Sequence, residues 1–146
     1  MIKVAVNNQQ TAHPVDRARL KEGVKRVFSG EGIDSAIISI AVVDDPTMHD
    51  LNRRYLQHDY PTDVLSFLLE DDERRLEGEI IISADYAVRE AEQFGWTAQD
   101  EMLLYIIHGA LHLAGYDDLE PELKAEMRAK EREYLAEFGL TPRYDE

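Results

Sequence analysis

Residues 98–114, AQDEMLLYIIHGALHLA, constrain the fold more than any other stretch of the chain, because apolar side chains fall on nearly every side of a helical wheel. A helix of that kind is stable only when other elements surround it, so it must run through the middle of its domain. Thr97, with Asp100 three residues later, is a capping signature that sets its start. Gly115 sets its end, since glycine accepts the left-handed turn that closes many helices.

The rest of the chain supplies the wrapping. Residues 2–7 alternate like a strand, and 35–43 (SAIISIAVV) are apolar enough for a buried one. Residues 63–69 and 79–83 read as two more strands, joined by a polar surface loop, DDERRLEG, over 71–78. Pro14 opens a helix with Leu20, Val24, Val27 and Phe28 on its inner face, closed by Gly30. Asp45 and Pro46 start another, with Met48, Leu51 and Tyr55 facing inward. A third carries Ala84, Ala87, Val88, Ala91 and Phe94 and stops at Gly95. Pro121 begins the last, which runs through Leu123, Met127, Tyr134, Leu135 and Phe138. Four strands and five helices in one α/β domain over 1–146 are expected.

Chemistry concentrates at HGALHLAGYDD, 108–118. His108 and His112 are one turn apart on one face of the buried helix. Desolvated imidazoles need partners, and this spacing lets two ring nitrogens converge on one ion. The turn at Gly115 returns the chain so that Asp118, or its neighbour Asp117, supplies a third ligand. Two imidazoles and a carboxylate, with a position open to water, suit zinc and also Fe²⁺, Co²⁺ or Ni²⁺. The spacing matches the long zinc-protease motif, but the glutamate that serves those enzymes as base is Gly109 here, which argues against peptide hydrolysis.

Composition narrows the classes further. There is no cysteine, which excludes disulfides, thiolate nucleophiles and cysteine zinc sites. The net charge of −14 opposes a protein that coats nucleic acid, although Arg53 and Arg54 gather positive charge near His58, as do Arg17, Arg19, Lys21, Lys25 and Arg26. No apolar run approaches the roughly 20 residues of a membrane span, and MIKVAVNNQQ has no signal-peptide pattern. A cytoplasmic location and no membrane partner are expected.

LNRRYLQHDYPTDVLSF (51–67), GEIIIS (78–83), EMLLYIIHGALHLAGYDD (101–118) and the positions of Met127 and Glu131 together make the chain resemble the YbeY family of rRNA maturation factors, which are metal-dependent endoribonucleases. The resemblance implies a mixed sheet, one zinc ion at the end of the long helix, and single-stranded RNA in a neighbouring cleft. It also implies a part in 16S rRNA processing and ribosome quality control, with the small ribosomal subunit and its assembly proteins as partners. His108 and His112 match the family's first two metal ligands. Asp118 stands where the third is histidine, and Leu56 stands where the family has an arginine associated with RNA phosphate. Asp63 is then the candidate base or water-orienting group, with Thr62 and Ser66 to position phosphate or water, and Arg53, Arg54 and His58 to contact RNA. Two other readings are compatible with these residues: a ribosome-bound factor whose cutting has weakened or gone, and a metal-dependent hydrolase of a small substrate.

Overall fold

The computed structural model describes residues 1–58, 62–72 and 75–142. Its elements in chain order are β1 (Ile2–Asn8), α1 (Arg17–Gly30), β2 (Ala36–Val43), α2 (Asp45–Leu56), β3 (Val64–Asp71), β4 (Leu76–Ser83), α3 (Ala84–Phe94), α4 (Ala98–Leu113) and α5 (Pro121–Ala136). The four strands form one mixed sheet in the order β1-β2-β4-β3. β1, β2 and β4 are parallel, and β3 pairs antiparallel with β4 at the sheet edge.

Alternation along the strands assigns the two faces. Ile38, Ile40, Ile80 and Ile82 point to one side and join the large core with α1, α3, α4 and α5. Ala41, Val43, Leu65 and Ile81 point to the other and cover Met48 of α2. α4 lies over β3 and β4 with α1, α3 and α5 packed around it. Met102, Leu103, Ile106, Ile107 and Leu111 are all fully buried, and each contributes about 1.5–3 kcal/mol by leaving water. The all-round apolar helix is therefore central, as its sequence requires. Thr97 accepts from the Asp100 N–H at 3.1 Å, so the expected cap is in place.

Several expected boundaries move. α1 is opened by Asp16, whose side chain accepts from the Arg19 N–H, and not by Pro14. Pro14 stays outside the helix, where its carbonyl accepts from Gln99 Nε2 at 2.7 Å. The cap of α2 is Asp44, one residue earlier than expected. The polar loop expected at 71–78 is far shorter. β3 continues to Asp71 and β4 starts at Leu76, which is buried, because hairpin pairing holds these residues in register whatever their polarity. Glu73 and Arg74 of that loop lie outside the described residues, as do 59–61. Tyr55 is exposed and rests edge-on against Phe67 at 5.7 Å, while Asn52 takes the buried position on α2. α5 ends at Ala136, before Phe138, and Leu123 faces solvent.

Candidate metal centre

α4 delivers His108 and His112 side by side, and the turn after it brings up the third group. The Tyr116 N–H donates to the Leu111 carbonyl at 3.0 Å while Gly115 adopts φ +110°. This is a Schellman-type stop, in which a residue without a Cβ takes the left-handed position. The chain then folds back, and the two aspartates that follow take different work. Asp117 Oδ1 accepts the backbone N–H groups of Asp118 and Leu119, at 2.7 and 3.1 Å, which fixes the loop. The Asp118 carboxylate is left facing the histidines.

His108 Nε2 and His112 Nε2 are 3.1 Å apart, and each is 3.7 Å from an Asp118 oxygen. Among the described residues these three form the group able to hold a metal ion. In a tetrahedral site with bonds of 2.0–2.1 Å, neighbouring donor atoms are about 3.3–3.4 Å apart, so the three donors stand close to the required triangle.

The outer atoms set the tautomer of each ring in its neutral form. His108 Nδ1 lies 2.8 Å from Glu131 Oε2, and His112 Nδ1 lies 3.1 Å from the Tyr116 carbonyl. Carbonyl and carboxylate oxygens only accept, so each neutral ring carries its proton on Nδ1 and presents a bare Nε2. Two nitrogen lone pairs and a carboxylate are then aimed at one point. That arrangement repels itself unless a cation occupies the point. The C-terminal end of α4, where the helix dipole is negative, adds to the preference for positive charge.

Glu131 is completely buried. Burial pushes its carboxyl up, but the hydrogen bond and charge of His108, followed by Arg128, outweigh it and hold the group below its ordinary range. Arg128 Nη1 donates to Glu131 Oε1 at 2.8 Å. For His112, burial and the neighbouring His108 lower the pKa against the pull of Asp118, which keeps the ring in its ligand form.

Beside this centre is an open cleft of about 320 Å³, with His108 and Asp118 on its wall. Asp63, Glu90 and Glu101 give it an acidic lining, and Arg128 is the one permanent cation among the described residues that line it. Burial raises the Glu101 carboxyl, although Trp96 Nε1 donates to it at 2.6 Å. Of the residues expected to act on substrate, Asp63 lines the cleft, and its Oδ1 accepts from the Val64 N–H at 2.8 Å and from Thr62 Oγ1 at 3.2 Å. Thr62 therefore acts on Asp63 and does not line the cleft. Ser66 is half-buried in β3, opposite Ile80. Arg53, Arg54 and His58 are exposed and line no part of the cleft, and both arginines pair with Asp50.

Three supporting groups went unassigned from sequence: Glu131, Arg128 and the Tyr116 carbonyl. Glu131 carried a signal. It lies four residues after Met127 and three before Tyr134, a carboxylate in the inward stripe of α5. A backbone carbonyl carries no such mark.

A buried helix that presents two histidines and a turn-borne carboxylate beside an open cleft defines an α/β protein with a group able to hold a metal ion and room for a substrate. The chain belongs to the endoribonuclease YbeY family, whose model matches residues 5–139. It is 46% identical to the endoribonuclease YbeY of Sulfurovum sp. over 94% of this chain and 91% of the relative. Identity to the protein of the same name from Geobacter metallireducens is 37%, over 92% and 95%. The Rhodopirellula baltica relative is 39% identical over 85% of this chain, and the match spans 65% of that longer protein. The solution structure of TM1509 from Thermotoga maritima superposes with a TM-score of 0.62 at 28% identity, covering 100% of this chain and 97% of that one. The expected family and the α/β fold with a mixed four-stranded sheet both hold. The relatives' names agree with the nuclease expectation and give no weight to the non-cutting factor.

Proposed function

We propose that this protein is a metal-dependent endoribonuclease that cuts single-stranded RNA and acts in 16S rRNA maturation and ribosome quality control, in contact with the small subunit and its assembly proteins. His108, His112 and Asp118 are the ligands in this reading, and zinc is the ion. The observation that carries it is the convergence of two Nε2 atoms and one carboxylate beside a cleft, in a chain whose relatives are named endoribonucleases.

When bound, the ion supplies Lewis acidity and lowers the pKa of a bound water. The chain does the rest. Glu131 and the Tyr116 carbonyl hold the two imidazoles in the ligand tautomer. Asp63 orients the attacking water or accepts its proton, with Thr62 steadying the carboxylate. Ser66 is assigned to positioning on β3. Arg53, Arg54 and His58 are assigned to RNA outside the cleft, because they do not line it.

The test is cleavage of a single-stranded RNA oligonucleotide by zinc-loaded protein, beside a duplex of the same sequence. Cutting of the single strand that disappears with chelator and with His112→Ala is expected. Binding of the strand with no cutting would transfer the protein to the non-cutting class, and turnover of a small ester alone would favour the small-substrate hydrolase.

A further inference from the structure

Two helix stops are joined behind the metal centre. α1 ends where the Glu31 N–H donates to the Val27 carbonyl at 2.9 Å and the Ile33 N–H to the Phe28 carbonyl at 2.8 Å, with Gly32 at φ +78°. α4 ends at the Gly115 turn, and the next residue, Tyr116, presents the carbonyl that orients His112. One side chain links the two stops. Tyr116 Oη donates to Glu31 Oε1 at 2.7 Å, although 85 residues separate them in the chain. The Tyr134 hydroxyl of α5 donates to Glu31 Oε2, and Lys130 Nζ lies 3.5 Å from the same oxygen. Burial raises the Glu31 carboxyl, but the two hydroxyls and Lys130 outweigh it and hold the group below its ordinary range. It is therefore an ionised acceptor, and hydrogen bonds to such a group are roughly twice as strong as neutral ones.

The turn that carries Asp118 depends on this anchor. Its far side is an open hollow of about 540 Å³ lined by Glu31, Gly115, Tyr116, Asp117 and Glu126. A Cβ built on Gly115 would meet nothing within 4 Å. Packing does not hold the turn from that side. Tyr116 packs its ring on the main core and is hydrogen-bonded at three points: its N–H to Leu111, its carbonyl to His112 and its hydroxyl to Glu31. The first two bonds lie within the stop of α4 itself. Only the third reaches another element.

We infer that Glu31 is a positioning residue of the metal site, which grips the Tyr116 hydroxyl and so fixes both the carbonyl behind His112 and the turn that delivers Asp118. Each histidine then has a carboxylate behind it, Glu131 directly for His108 and Glu31 through a tyrosine for His112. The inference rests on the metal-dependent reading and extends the support of that site to the end of α1.

The measurement is zinc affinity by chelator competition, beside Tm of the metal-free protein, for the parent, Tyr116→Phe, Glu31→Ala and the two combined. Tyr134→Phe is the control, because it takes a hydroxyl from the same carboxylate without touching the metal turn. Tyr116→Phe and Glu31→Ala are each expected to weaken zinc binding about three- to tenfold, less than the roughly 10–100-fold of a group bonded directly to a ligand. The combined variant is expected to bind no more weakly than the weaker single one, since both changes break one link. Tyr134→Phe is expected to lower Tm and keep the parental zinc affinity. A Tyr116→Phe protein that binds zinc as the parent does overturns the inference. So does a Tyr134→Phe protein that loses as much affinity as Tyr116→Phe, which would make the effect a general loosening. Tyr116→Phe removes a single oxygen and decides the matter even where Glu31→Ala fails to fold. A parent that binds no zinc defeats the metal-dependent reading as well, and that outcome is visible before any variant is made.

Discussion

His108 and His112 owe their chemistry to the atoms behind them. A buried imidazole facing a second imidazole at 3.1 Å would ordinarily share a proton with it, but Glu131 and the Tyr116 carbonyl draw the protons to the opposite nitrogens. Glu131 is the more consequential of the two, because it is a charge held in the core by His108 and Arg128. Its folded pKa is lowered, so its stabilisation is fully present above its unfolded value, roughly 4.3, and is lost as pH falls through the lower folded value. Glu131→Gln is expected to cost about 1–3 kcal/mol at neutral pH, with the difference from the parent closing in acid, as read from thermal denaturation of metal-free protein across pH. Chelator competition should show zinc affinity weakened by about 10–100-fold, the usual effect of losing a carboxylate behind a ligating histidine. A variant whose deficit is the same at every pH would contradict the assignment of the charge.

At the scale of elements, α4 explains both what was readable and what was not. Its burial follows from apolar residues on all sides, its start from Thr97 and its stop from Gly115, all local signals. Position 109 required the structure. A Cβ on Gly109 would lie 2.8 Å from Ile80 Cγ2, so this side of α4 rests directly on β4 and has no room for a side chain. The absent glutamate is thus a packing requirement of the sheet as well as a missing base. Gly109→Glu is expected to buy no peptide hydrolysis and to lower Tm sharply, through overpacking of about 1–3 kcal/mol together with an unpaired buried charge. Retained stability with new hydrolysis of a peptide substrate would overturn this account. The misplaced boundaries have similar causes. Tyr55 matched the helical period but found Phe67 at the surface, and Leu76 sat in a polar run that β-pairing made a strand. Neither partner is adjacent in sequence.

Across the whole molecule, acidic average charge and local function are separate matters. The sheet and its helices bring residues from α3, α4, the turn after α4, α5 and the residue just before β3 around one cleft, and only the α4 and turn residues announce themselves by spacing. Asp63 was legible through a resembling motif, and Arg128 was not, because its place beside His108 depends on how α5 crosses α4. Among the described residues no helix is long and apolar enough to cross a membrane. The claim on which the functional account depends is that His108, His112 and Asp118 hold one ion together. Metal content per chain, in protein purified without affinity-tag metal and then incubated with zinc, tests it most directly beside Asp118→Ala. About one ion in the parent and much less in the variant is the predicted result. A metal-free parent, or a variant that binds zinc as the parent does, would contradict it.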